Sequence, residues 1–460
     1  MNLYFIGIGG IGMSALVRYF LRKGDQVAGY DLTPSPLIEA LVQEGAQVHF
    51  EDSVSCIPEP FRSPDTLVVY TPAVPSDHQE LTYFRNQGNK VIKRAELLGE
   101  LTRRERALCV AGTHGKTTTS TLIAHLLRQS AVDCHAFLGG ISNNYKTNFL
   151  YSSHSDYAVI EADEFDRSFH HLSPYIAVVT SADPDHLDIY HTPEAYRESF
   201  EHFTSLISAE GALVMRQGIP LTPRLKAGTR LYTYGLEGEG ADFYASDIRV
   251  EDGRLFFTWH HPALEGLPAG ELRVELGVPL LVNVENAVAA MAVALLCGAT
   301  EEELRLGVAS FRGVHRRFDR VVDTPRCVLI DDYAHHPNEL GPSIRSVKGL
   351  YPTRRVLGVF QPHLYSRTQD FYREFAESLD VLDEVILLDI YPARELPIPG
   401  VTSEMIMREM HHAQVKVLPK SGLLPELEAR TELPEVILMV GAGDIDRLVP
   451  QVASWIQSRL

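Results

Sequence analysis

The chain has 460 residues, too many for one hydrophobic core, and that length points to about three domains. Apolar residues make up 45% and charged residues 22%, the balance of an ordinary globular protein. A net charge of -18 excludes a broad basic face for nucleic acid, so any phosphate-bearing ligand must be held locally by glycine loops, Lys, Arg or metal ions. Cys56, Cys109, Cys134, Cys297 and Cys327 show no CxxC spacing and are odd in number. They are expected to be free thiols in a reducing cytoplasm. The N-terminus shows no secretory pattern. The most apolar run, Leu280 to Cys297, is interrupted by Asn283, Glu285 and Asn286, so no membrane partner is expected.

Asn2 to Ile8 reads as a strand running into Gly7-Ile-Gly9-Gly10-Ile11-Gly12, with a helix from Met13 and a second strand ending at Asp31. This is a dinucleotide-fold fingerprint. It certifies close approach of backbone to a diphosphate, which NAD or a nucleotide-sugar would satisfy equally. A later strand ends at Thr71-Pro72, where ligands of open α/β sheets bind, and Arg94 brings a cation near the same edge. Leu101 to Arg106 reads as a linker.

Ala107 to Arg128 then reads as strand, glycine loop and helix. Gly112, Thr113, His114 and Gly115 form the loop, and Lys116, Thr117 and Thr118 open the helix. Free N–H groups and the helix dipole there make an anion site, with a Thr117 hydroxyl for magnesium. The loop lacks the usual first glycine, where Val110 stands. A strand then delivers Glu161, Asp163, Glu164 and Asp166, and the next delivers Asp183, Asp185, His186 and Asp188. Packed carboxylates repel unless cations neutralise them; oxygen ligands suit magnesium, and His186 suggests a second metal position.

Residues 208–276 read as an antiparallel extension without chemistry. Asn286 is expected in the first turn of a long apolar helix, and a basic cluster follows at His315, Arg316, Arg317 and Arg320, a candidate phosphate clamp. Four further strands reach polar edges carrying Asp332, His335, His336, His363, Arg367, Arg394 and Asp444, the pattern of another doubly wound sheet.

The ordered motifs GIGGIGMS (7–14), AGTHGKTTT (111–119), EADEFDRSF (161–169), PDHLDIY (184–190), VNVENA (282–287), HRRFD (315–319), DDYAHHP (331–337) and QPHLYSRT (361–368) resemble the Mur ligases. The resemblance implies three α/β domains: a Rossmann-like UDP-binding domain (1–103), a central phosphate-loop ATPase (104–314) and a C-terminal Rossmann-like domain (315–460). It implies ATP-driven joining of L-alanine to the lactyl carboxylate of UDP-N-acetylmuramate through an acyl phosphate, with Mg²⁺. Gly9, Gly10, Ile11, Gly12, Asp31, Thr71 and Arg94 would meet the UDP-sugar. Lys116 would meet the ATP phosphates, Asn286 the adenine, and Asp332 the nucleotide from the third domain. Thr117, Glu161 and His186 would hold metal, and Arg317, His363 and Arg367 would approach the reacting groups.

Two departures stand out. Val282 occupies the family's usual His position, and no lysine follows the PDH motif before Lys226, where sister enzymes use a carbamylated lysine. Glu201 is the candidate replacement for that charge. The competing readings are a ligase that takes a tripeptide, an NAD-dependent dehydrogenase, and a non-catalytic nucleotide switch.

Overall fold

A computed structural model describes every residue except Asp252, Arg394 and Ala413, with the backbone alone at Leu187 and Asp188. The Arg394 position therefore lies outside the described residues, as does the side chain of Asp188. The chain forms two compact units, residues 1–247, 257–274 and 285–311 in one and 248–256, 275–284 and 312–460 in the other.

In the first unit, strands β1 (Asn2–Ile6), β2 (Gln26–Tyr30), β3 (Gln47–His49), β4 (Leu67–Tyr70) and β5 (Val91–Lys93) form a parallel sheet of order β3-β2-β1-β4-β5. The period of two in β1 divides its side chains. Tyr4 and Ile6 join a core with Phe61 and Phe84, while Leu3 and Phe5 join a larger core with Cys109, Phe137 and Ile160. That second core is continuous between this sheet and the next.

The next sheet is centred on β6 (Arg106–Ala111) and includes β7 (His135–Phe137), β8 (Phe149–Leu150), β9 (Tyr157–Glu161), β10 (Pro174–Val179) and β11 (Ala212–Arg216). Its order runs β11-β10-β6-β9-β7-β8, with β6 parallel to both β9 and β10. Beyond β11 lie β12 (Arg230–Leu236), β13 (Phe243–Glu251), β14 (Arg254–His261) and β15 (Gly270–Leu276). The expected antiparallel extension is corrected for its first strands: β11 to β12 and β12 to β13 pair in parallel.

The second unit carries a six-stranded sheet of β16 (Asp319–Asp323), β17 (Val328–Asp332), β18 (Val356–Phe360), β19 (Glu384–Leu388), β20 (Gln414–Leu418) and β21 (Val436–Val440), in the order β16-β17-β21-β18-β19-β20. β16 is antiparallel to β17, and the other pairings are parallel. The expected three-part α/β architecture is present. All five cysteines are unpaired. Among the described residues no helix is long and apolar enough to cross a membrane.

Candidate active site

β6 ends at Ala111, and the chain turns through Gly112 and Gly115, whose φ values of 145° and 81° favour glycine. Helix Lys116–Gln129 then begins with no side-chain cap on its first amides, which leaves them to an anion. The segment after β10 cradles the loop. Thr180 Oγ1 donates to the carbonyls of Ala111 (3.2 Å) and His114 (2.5 Å), Ser181 Oγ accepts from the His114 amide (2.9 Å), and Thr113 Oγ1 donates to the Asp183 carbonyl (2.7 Å). Thr117 and Thr118 stand half-buried in the first turn. Asn286 lies in the second turn of helix Leu281–Leu296, buried against Gly115, and accepts a hydrogen bond from Thr119 Oγ1 (3.1 Å). Val282 is half exposed.

Lys116 Nζ donates to the Gly112 carbonyl at 2.6 Å and to Glu164 at 2.9 Å. Burial pushes the Glu164 carboxyl up, against the opposing pull of Lys116. The crowded acids after β9 are thus neutralised from separate elements: Glu164 by Lys116, Asp163 by Arg94 (3.2 Å) and Asp166 by Lys93 (2.9 Å). Asp166 and Arg167 hold φ values of 52° and 53°, a left-handed kink that lets consecutive acids diverge toward different cations. The Glu161 carboxylate rests so close to Gly139 that any Cβ there would collide with it.

At the first glycine loop, Asp31 Oδ2 accepts from the Gly9 amide (2.8 Å). One of the loop's donors is thereby spent internally, and Asp31 shapes the loop. Thr71 stands against Gly7, so a Cβ at Gly7 would strike its methyl group. Helix Ile11–Arg22 starts at Gly10 without a side-chain cap. The guanidinium of Arg94 lies over Gly12, where an added Cβ would have to displace it. Ile11, Gly12 and Arg94 line one side of a cavity of about 110 Å³, and Gly139, Glu161 and Asp163 line the other. The first glycine loop and the expected metal ligand Glu161 therefore share one space.

His186 has a φ of 52° and packs edge-on against Phe165 at 5.2 Å. Because β9 and β10 flank β6, Glu161 and His186 follow the two strands on either side of the phosphate-loop strand. Among the described residues no group of three His, Cys, Asp or Glu side chains could hold an ion unaided. Glu161 and the Thr117 hydroxyl suit magnesium, which keeps waters and completes its shell with substrate phosphates. Glu201 is corrected: its carboxylate accepts from the Thr222 amide (3.3 Å) and pairs with Arg224 (2.9 Å), so it is not the missing charge at the acidic cluster.

In the second unit the HRRFD turn is strained, with φ of 62° at Arg316 and 48° at Phe318. Arg316 donates to the carbonyls of Gly441 (2.7 Å) and Gly443 (3.0 Å), and the Arg317 guanidinium sits 4.8 Å over the Tyr333 ring. Asp332 is buried; it accepts from the Phe318 amide (3.3 Å) and Ser343 Oγ (2.5 Å), so it holds this turn. His363 stacks on Tyr391 at 5.7 Å and lies 5.8 Å from His335. Burial, with His335 and Arg367 adding to it, pushes His363 down to about 4 and keeps it neutral. Arg367 lies in the first turn of helix Tyr365–Leu379.

Sequence reasoning missed Glu164 as the partner of Lys116, and Lys93 and Thr180 as supports. Glu164 was visible in the acidic run, but its selection needed the fold. A model of the Mur ligase family catalytic domain matches residues 2–106, one of the Mur ligase middle domain matches 110–294, and one of the Mur ligase glutamate ligase domain matches 316–445. The chain is 62% identical over 460 residues to a UDP-N-acetylmuramate–L-alanine ligase of Porphyromonas gingivalis, covering 99% of each. It is 60% identical over 451 residues to the enzyme of that name from Parabacteroides distasonis, covering 98% of this chain and 96% of the relative. The crystal structure of a UDP-N-acetylmuramate-alanine ligase from Thermotoga maritima is similar at a TM-score of 0.83 and 27% identity, with both chains fully covered. A murein peptide ligase from Psychrobacter arcticus shares the fold at a TM-score of 0.66 and 21% identity, covering 99% of this chain and 98% of that one.

Proposed function

The chain belongs to the Mur ligase family, and from that premise we propose how its two glycine loops and its acidic cluster divide one reaction. The reaction is ATP-dependent addition of L-alanine to UDP-N-acetylmuramate in peptidoglycan precursor synthesis, with release of ADP and phosphate. The observation that carries the division of labour is the shared cavity between Gly12 and Glu161.

The amides of Gly10 to Gly12 and the helix behind them hold the UDP diphosphate, shaped by Asp31 and Thr71, with Arg94 alongside. The phosphate-loop amides of residues 112–118 and Lys116 hold the ATP phosphates, and Asn286 borders the adenine. The lactyl carboxylate enters the cavity and attacks the γ-phosphate, forming an acyl phosphate as the bond to ADP breaks. The amine of L-alanine then attacks the acyl carbon, loses a proton and expels phosphate. Catalysis rests on alignment and on cations facing the charge that builds between two anions. Magnesium, held by Thr117 and Glu161 with His186 at a second position, would supply further charge neutralisation. Within the 315–460 domain, Arg317, His363 and Arg367 are the residues assigned to phosphate and amino-acid contacts, and Asp332 holds Arg317's turn. We place domain limits at 103 and 314, and the protein in the cytoplasm, in keeping with five unpaired thiols.

The test is phosphate release from ATP with UDP-N-acetylmuramate, and with L-alanine, tripeptide or NAD added in turn. Stimulation by L-alanine alone is expected. Stimulation by the tripeptide instead would reassign the acceptor.

A further inference from the structure

Asn148 is fully buried, and it is fastened to both walls of the cavity. Its Nδ2 donates to the Ile11 carbonyl at 2.6 Å and to Ser14 Oγ at 2.9 Å, on the wall formed by the first glycine loop. Its own backbone carbonyl accepts from the Leu138 amide at 2.9 Å, on the wall where Gly139 receives Glu161. Its Oδ1 accepts from Arg18, whose guanidinium is clamped by Glu44 at 2.9 Å. The Asn148 amide is therefore oriented from behind: Arg18 dictates which end is the acceptor, and the NH₂ end must face Ile11.

We propose that Asn148 is a positioning residue for the ligation, setting the register between the UDP-sugar loop and the wall that carries Glu161. This rests on the reading of the cavity as the place where lactyl carboxylate and γ-phosphate meet. A diphosphate needs only the glycine loop and its neighbours Asp31, Thr71 and Arg94, wherever that loop stands. Phosphoryl transfer needs the loop at a fixed distance from Glu161, because a misplacement of about 1 Å costs on the order of 10²-fold in rate. Asn148 thus separates binding from turnover.

The variant Asn148→Asp keeps the acceptor for Arg18 and removes the donor to Ile11. Expected is a fall in kcat of about thirtyfold or more, with the Kd of UDP measured calorimetrically within about threefold of wild type. Ser14→Ala removes one of the two acceptors without touching the interior amide, and it guards against misfolding of the first variant. It should shift kcat in the same direction by about threefold, again sparing UDP affinity. Unchanged kcat in both variants overturns the proposal, and so does a parallel loss of UDP affinity, which would mean that Asn148 merely shapes the loop. Failure of the underlying reading is distinguishable, because wild-type enzyme would then show no L-alanine-dependent phosphate release.

Discussion

The Lys116 ammonium lies 2.9 Å from both carboxylate oxygens of Glu164, whose side chain is 2% exposed. Its other donors face the carbonyls of Gly112 at 2.6 Å and Thr113 at 3.4 Å. A phosphate can gain Lys116 only by taking one of these bonds, so lysine and acid act as a pair. Lys116→Ala should abolish ATP-dependent ligation and leave UDP-N-acetylmuramate binding largely intact. It also strands a buried carboxylate, at a cost of about 3 kcal/mol. Lys116→Ala combined with Glu164→Gln should recover most of the lost thermal stability and none of the activity. If the single variant melts like wild type, the pair is not a buried unit.

Gly139 offers a sharper probe of Glu161 than replacing Glu161 itself. A methyl group at this position collides with the carboxylate and must push it from the cavity wall. Gly139→Ala is expected to lower kcat at least about tenfold and to raise the magnesium concentration giving half-maximal activity. A magnesium titration of phosphate release reads both, and an unchanged titration would remove Glu161 from metal binding.

Glu80 makes stability depend on pH. It is fully buried, accepts from Tyr4 Oη at 2.8 Å, lies 3.3 Å from His49 Nε2, and is pushed up to about 7 by burial. A raised folded pKa means that the folded protein binds the proton more tightly than the unfolded chain. The associated stability is complete below the unfolded value of about 4.5 and is lost as pH rises through about 7. The span is worth about 3 kcal/mol at most. Glu80→Gln, which stays neutral and keeps an acceptor for Tyr4, should melt higher than wild type at pH 8 and similarly at pH 5. Identical melting curves at pH 8 would show that burial does not raise the Glu80 carboxyl in the folded state.

Glu201→Ala should leave the magnesium dependence of the reaction unchanged. Its carboxylate is engaged by Arg224, a half-exposed surface pair, so the expected stability loss is below about 1 kcal/mol. A shifted magnesium requirement would reinstate it as a second-metal ligand.

Much of this protein was legible as local chemistry. Strand, glycine loop and helix in sequence predict a phosphate site because the turn and the open amides are properties of a few consecutive residues, and the run GIGGIG predicts another for the same reason. Strand and helix patterning likewise announced α/β sheets, with the pattern of a doubly wound sheet in the last domain. Tertiary structure alone decided which acid meets which cation. Asp163, Glu164 and Asp166 are near neighbours in sequence, yet they pair with Arg94, Lys116 and Lys93. It also turned Glu201 away toward Arg224 and buried Asn148 between the two walls. The physical reason is that a side chain's polar partner is chosen by which strands lie side by side. That adjacency, β6 between β9 and β10, is fixed by burial of the whole sheet, not by the residues next in line.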